Sequence, residues 1–192
     1  MINRIRSADV GKFKRWFIPL ILSSMLLNSA TADAADLIRP DSAVRFSGDQ
    51  MGRAFEGRVG EFSAVAEFSP AGQLSGLRLQ IQADSLDTQN AERDQLLHSN
   101  EWLEVMRFPE IRYEGESSDG ILIRGMLTIR DTTLPLDLAV KTEASGEQVS
   151  VSAEGEIDRL AFGLGNGEWL DTAVVGASVR FNARLSFNLQ GK

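Results

Sequence analysis

One histidine, His98, and no cysteine limit the chemistry open to this 192-residue chain. Thiol catalysis, disulfides and thiolate metal sites are excluded together. A hydrolase triad or a zinc site needs more imidazole or thiol than a single His supplies. His98 stands beside Ser99 and Asn100 and reads as a surface residue. Asp84, Asp87, Glu92 and Asp94 lie close together, but a calcium loop wants alternating oxygen ligands around a sharp Gly turn. No Gly lies between Gly76 and Gly115. The run Gly163-Leu164-Gly165-Asn166-Gly167 lacks the lysine of a phosphate-binding loop and precedes no helical pattern. Tyr113, Thr128 and Arg159 are left as groups able to supply acid, base or oxyanion stabilisation. Asp158-Arg159 reads more simply as an ion pair or a hydrogen-bonded strand end. Neither a catalytic set nor a metal site is expected, and the chain reads as a non-enzyme.

The elements that would position such residues are strands. Leu77-Arg78-Leu79-Gln80-Ile81-Gln82-Ala83 alternates apolar and polar residues, as does the run from Val179 to Leu189. Leu134, Leu136, Leu138 and Val140 alternate with Pro135, Asp137 and Ala139; Val149, Val151, Ala153, Gly155 and Ile157 alternate with polar residues. A period of two means one apolar and one wet face. Shorter candidates are Val44–Ser47, Phe55–Val59, Ala64–Phe68, Ile111–Glu116 and Ile121–Arg130. Turn signals separate them, for example Ser69-Pro70-Ala71-Gly72 and Ser117-Ser118-Asp119-Gly120. About eight strands at short spacing predict an all-β antiparallel barrel or sandwich. Asp87 to Met106 breaks the pattern and reads as one or two helical turns and a loop, closed by Arg107-Phe108-Pro109. Such a segment caps one end, with Leu97, Trp102 and Phe108 as its apolar contacts.

The first 34 residues belong to a different argument. Arg4, Arg6, Lys12, Lys14 and Arg15 precede an uncharged run from Trp16 to Leu27, interrupted by Pro19. Ala30-Thr31-Ala32 and Ala32-Asp33-Ala34 both fit the small-x-small cleavage pattern. Basic, apolar and small-residue parts in this order make a secretory signal peptide, cleaved after Ala32 or Ala34. The apolar run falls short of the roughly 20 residues of a membrane span. Residues 1–34 are therefore expected to be removed, leaving 35–192 as a single domain in the periplasm. The full chain carries a net charge of −7, and its remainder is more acidic still without those five cations. Such a surface repels nucleic acid.

The inward faces carry Leu77, Leu79, Ile81, Ile111, Tyr113, Ile123, Leu127, Ile129, Leu136, Leu138, Phe181, Leu185 and Phe187, with no charge among them. Gly125 and Ala183 recur on the same faces. An eight-stranded barrel is just wide enough to be filled by side chains or to hold one slender ligand. Alternation leaves both readings open: a filled core, or a dry tunnel opened by the small residues.

Several blocks resemble the YceI-like, polyisoprenoid-binding periplasmic family. They are Ala83-Asp84-Ser85-Leu86-Asp87-Thr88, Glu92-Arg93-Asp94 with Leu97 and Ser99, and Glu101-Trp102-Leu103-Glu104-Val105 with Phe108-Pro109. Gln50-Met51-Gly52 with Gly57, Gly60 and Phe62, and Gly125-Met126-Leu127-Thr128-Ile129-Arg130, agree as well. So does Ile157-Asp158-Arg159 with Phe162-Gly163-Leu164-Gly165, Glu168-Trp169, Asp171-Thr172 and Val175. The blocks are collinear over residues 44–187. Asp131 and Leu103 depart from the pattern, where a Gly and a Phe are usual. The resemblance implies an extended lipocalin-like antiparallel barrel of eight strands whose tunnel binds, stores or transports a polyisoprenoid or isoprenoid quinone. The residues above would line it, and no cofactor beyond that lipid is implied. Transient contact with a membrane surface and a homodimer stay open, as do two alternatives: a ligand-free accessory of a membrane redox system, and an enzyme acting on a prenyl lipid.

Overall fold

A computed structural model describes residues 33–189; the basic and apolar parts of the signal-peptide reading lie outside them. The strands are β1 (Asp33–Leu37), β2 (Ala43–Gln50), β3 (Arg53–Val59), β4 (Phe62–Phe68), β5 (Leu74–Gln82), β6 (Leu86–Asp87), β7 (Glu110–Glu116), β8 (Leu122–Ile129), β9 (Thr132–Ser145), β10 (Gln148–Asp158) and β11 (Ser178–Asn188). One α-helix, α1 (Ala91–His98), interrupts them. The Asn90 side chain caps it by accepting from the Arg93 N–H at 2.9 Å.

All strands belong to one antiparallel sheet in the order β1-β4-β5-β7-β8-β9-β10-β11-β2-β3-β6. β1 also pairs with β11, through Asp36–Asn188 and Leu37–Phe187. The ring β1-β4-β5-β7-β8-β9-β10-β11 therefore closes on itself at one end and abolishes its edges there. Further along β11 the partner changes from β1 to β2: Arg180 to Arg184 pair with Ser47 to Ala43. The β2–β3 hairpin and the two-residue β6 extend the sheet at the other end. Eleven strands thus replace the expected eight. The eight-membered ring survives inside the larger sheet. β1 was missed because Asp-Ala-Ala-Asp-Leu does not alternate, and β6 because two residues show no period.

The two ends pack differently. At the β1 end, Ala66, Ile123, Val151, Leu185 and Phe187 are fully buried, and Phe68 meets Phe187 edge-on with ring centroids 6.2 Å apart. Complete burial of a Val, Leu, Ile or Phe side chain stabilises by about 1.5–3 kcal/mol. At the β2–β3 end the inward residues of the same strands face open space.

Candidate functional site

That space is a cavity of about 190 Å³. Its wall comes from the C-terminal ends of β5, β8 and β10, the N-terminal ends of β7, β9 and β11, and from β2, β3 and α1. Leu79, Tyr113 and Leu127 stand side by side on neighbouring strands, since Leu79 pairs with Tyr113 and Tyr113 with Leu127. The Tyr113 hydroxyl donates to the Leu136 carbonyl at 3.2 Å and lies 3.4 Å from that of Ile123. Burial, and then the charge of Asp137, push this phenol far above its ordinary pKa of 10.0. It stays a neutral donor.

Aromatic rings sit on glycines throughout this wall. Phe46 is directly opposite Gly57, Phe55 opposite Gly48, and Phe181 opposite Gly155. A Cβ on Gly48 would come within 2.9 Å of the Phe55 ring, and one on Gly155 within 2.5 Å of that of Phe181. Each glycine is a seat that lets its ring lie flat along the sheet.

The roof is built around Arg159, which is 1% exposed. No carboxylate among the described residues binds it. Its Nε donates to the Gly176 carbonyl at 3.0 Å, Nη1 to Leu164 at 2.7 Å, and Nη2 to Val175 at 2.7 Å and to Trp169. The guanidinium stacks 5.1 Å from the Trp102 ring centroid. Burial lowers its pKa, opposed by the nearby Asp158 charge. Gly165 has a φ of +82°, and a Cβ there would meet Arg159 Nη1 at 2.5 Å; only glycine suits both demands. Glu101 latches the cap segment to this roof, its carbonyl accepting from the Gly165 N–H at 2.8 Å and its carboxylate from Trp169 Nε1 at 3.0 Å.

A polar cluster stands on one side of the cavity, which is partly open to solvent through its mouth. Arg93 donates to Thr88 Oγ1 and Gln50 Oε1, both at 3.0 Å, and stacks 4.3 Å from the Phe55 centroid. Asp94 accepts from the Thr88 N–H at 2.8 Å and its hydroxyl at 2.6 Å. Asp87 accepts from the Gln89 N–H and from Arg58, which together hold its pKa below 3.8. These acids are thus taken up in caps and pairs, and no metal-ligating group occurs among the described residues.

Nine of the residues assigned to a tunnel by alternation line this cavity: Leu79, Ile81, Ile111, Tyr113, Leu127, Ile129, Leu136, Leu138 and Phe181. Leu77, Ile123, Gly125, Ala183, Leu185 and Phe187 do not. They face inward as expected, but toward the end of the barrel that side chains fill. Gly125 opens no space, because a Cβ there would meet the Glu114 carbonyl and the Tyr113 hydroxyl at 2.5 Å. In the cap, Leu97 and Trp102 reach the cavity, whereas Phe108 lies under Arg107 and Arg130 at 4.8 and 5.5 Å. Asp158 and Arg159 form no ion pair. Tyr113 and Arg159 both line the cavity, but Thr128 does not join them: it shares a hydrogen bond with Thr133 on the outer face, at 2.9 Å. His98 is half-buried with no partner for Nε2 among the described residues.

Sequence reasoning missed the contributions of Phe46, Phe55, Val59, Leu86, Leu96 and Leu164 to the wall. The signal for the first two was present: Phe46 and Gly57, like Gly48 and Phe55, are equidistant from the Met51-Gly52 turn.

A closed antiparallel ring, packed solid at one end and hollow at the other, defines a lipocalin-like barrel. The chain matches the YceI-like domain over residues 37–187 and belongs to that family. Protein YceI of Salmonella arizonae is 27% identical over 167 residues, spanning 79% of this chain and 87% of the relative. The crystal structure of BcnA from Burkholderia cenocepacia is similar with a TM-score of 0.73 at 24% identity, over 79% of this chain and 99% of BcnA. A polyisoprenoid binding domain from Saccharophagus degradans, implicated in plant cell wall breakdown, has a TM-score of 0.61 at 14% identity. That likeness covers 82% of this chain and 99% of the domain. At these identities the two structures speak for the fold.

Proposed function

We propose that this protein is a periplasmic carrier that holds the tail of a long apolar lipid, a polyisoprenoid or isoprenoid quinone, in the hollow end of its barrel. The observation that carries the reading is the asymmetry of packing. The same strands fill one half of the barrel completely and leave an apolar cavity of about 190 Å³ in the other. The polyisoprenoid binding domain similar to this chain points to the same ligand class. Binding suits a wall that is almost wholly apolar, in which the Tyr113 hydroxyl and the Arg159 guanidinium are already bonded to backbone carbonyls.

The cavity lies below the roughly 300–1,000 Å³ of pockets that enclose drug-sized ligands. It therefore holds a limited length of chain, and the rest of a long tail leaves by the mouth. Each methylene buried from water is worth about 0.8 kcal/mol, but in cells the tail starts in a bilayer. Transfer from membrane to cavity is nearly neutral, so packing and chain ordering decide affinity, and cargo is exchanged at a membrane surface.

Export requires processing near residue 34. Ala34 pairs with Glu67 and Asp33 with Phe68 in β1. Cleavage after Ala32 preserves these pairings, and cleavage after Ala34 removes them; we favour the former. Native mass spectrometry of the protein purified from its host's periplasm tests both points. The expected result is a polypeptide beginning at Asp33 with an added lipid mass. Bare polypeptide, under conditions that preserve known lipocalin complexes, contradicts the carrier reading.

A further inference from the structure

On β5, β7 and β8 the lining of the cavity ends at Leu79, Tyr113 and Leu127, while on β9 it continues to Leu138. Below Tyr113 the next inward residues on β7 and β8 are Gly115 and Gly125, paired directly across the two strands. Neither lines the cavity. A Cβ on either would collide with the Tyr113 hydroxyl, at 2.7 and 2.5 Å. The phenol therefore lies across strand β8 over two residues that have no side chains, tied to the β9 backbone by its bond to Leu136. Beneath this level Ile123, Val151 and Leu185 are fully buried. A ring anchored at its far end and 5% exposed cannot swing aside as a Leu or Met side chain would.

We infer that Tyr113 is the floor of the cavity and determines how many carbons of a bound chain are enclosed. This rests on the carrier reading above, and it adds the residue that limits chain length. An apolar tail entering from the mouth gains contact with each successive unit until its tip reaches the ring. Further units stay outside. Shortening residue 113 exposes the two glycines and deepens the cavity by the volume of the ring.

The test uses delipidated protein and linear prenols from ten to thirty carbons, dissolved in water below their aggregation limit. Dissociation constants are measured for the wild type, Tyr113→Leu and Tyr113→Ala, with circular dichroism establishing that each is folded. In the wild type Kd tightens with each added unit and then levels off. The levelling point moves to longer chains in Tyr113→Leu, and further, by about one five-carbon unit, in Tyr113→Ala. A general loosening of the fold would weaken all lengths alike and leave the levelling point in place. An unchanged levelling point, or loss of all binding in both folded variants, overturns the assignment while leaving the carrier reading intact. Failure of the wild type to bind any prenol overturns both. If Tyr113→Ala does not fold, Tyr113→Leu alone decides the matter.

Discussion

The two ends of the barrel share their strands, their alternation and their supply of Leu, Ile and Phe, yet one is solid and the other hollow. At the solid end β1 bridges β4 and β11, drawing the ring tight enough for Phe68, Phe187 and Leu185 to interlock. At the hollow end β11 pairs with β2 instead, and β2 and β3 hold the wall open under a roof of loops. Apolar content does not decide where a cavity lies. Strand closure does, and inward glycines opposite aromatic rings mark wall that has been smoothed, not space that has been left.

This comparison can be broken by substitutions of equal chemistry at the two ends. The largest contrast is expected from truncation. Phe187→Ala at the solid end should cost about 3–5 kcal/mol through a void that cannot collapse. Ile81→Ala, already half-exposed to the cavity, should cost about 1 kcal/mol. Urea denaturation of both reads the difference, and equal losses would mean that the hollow end is packed in solution. Next in size is the roof. Arg159→Ala leaves the carbonyls of Leu164, Trp169, Val175 and Gly176 without their donor. Its expected cost is about 3 kcal/mol, together with faster proteolysis within residues 159–176. Retained stability would show that water replaces the guanidinium at no cost.

The smallest effect is confined to alkaline pH. The Tyr113 phenol has a folded pKa above its unfolded value of 10.0, so the native state binds its proton more tightly. The stability linked to it is constant below pH 10 and is lost as pH rises beyond it. Tyr113 is the only tyrosine in the chain, so phenolate absorbance reports on this group alone. It should appear together with unfolding. Ionisation at pH 10 in a folded protein would place the phenol in contact with water.

The strands, the inward faces and the cap were legible in the sequence because a period of two is local. The location of the cavity was not, since it depends on which strand closes on β11, and neither β1 nor β6 carries a periodic signal. Gly125 and Ala183 were misjudged for the same reason. Both face inward, but Gly125 is covered by a ring two strand positions from its own pair, and Ala183 lies among Val44, Ala153 and the solid core. In the sequence Arg159 reads as half of an Asp–Arg ion pair or as a group for oxyanion stabilisation, and neither reading shows its place in the roof. Its role is set by four carbonyls brought from residues 164–176 by loop folding.

The most direct measurement places one enlarged side chain at each end and reads stability and lipid together. Ile81→Trp puts a ring into the cavity, and Ala183→Leu forces three extra carbon atoms into the solid end. On delipidated protein, the account predicts that Ile81→Trp melts at or above the wild-type temperature and no longer retains lipid on purification. Ala183→Leu should lose about 1–3 kcal/mol by overpacking and still retain it. If Ile81→Trp copurifies with as much lipid as the wild type while Ala183→Leu loses it, the lipid occupies the other end of the barrel and the account is wrong.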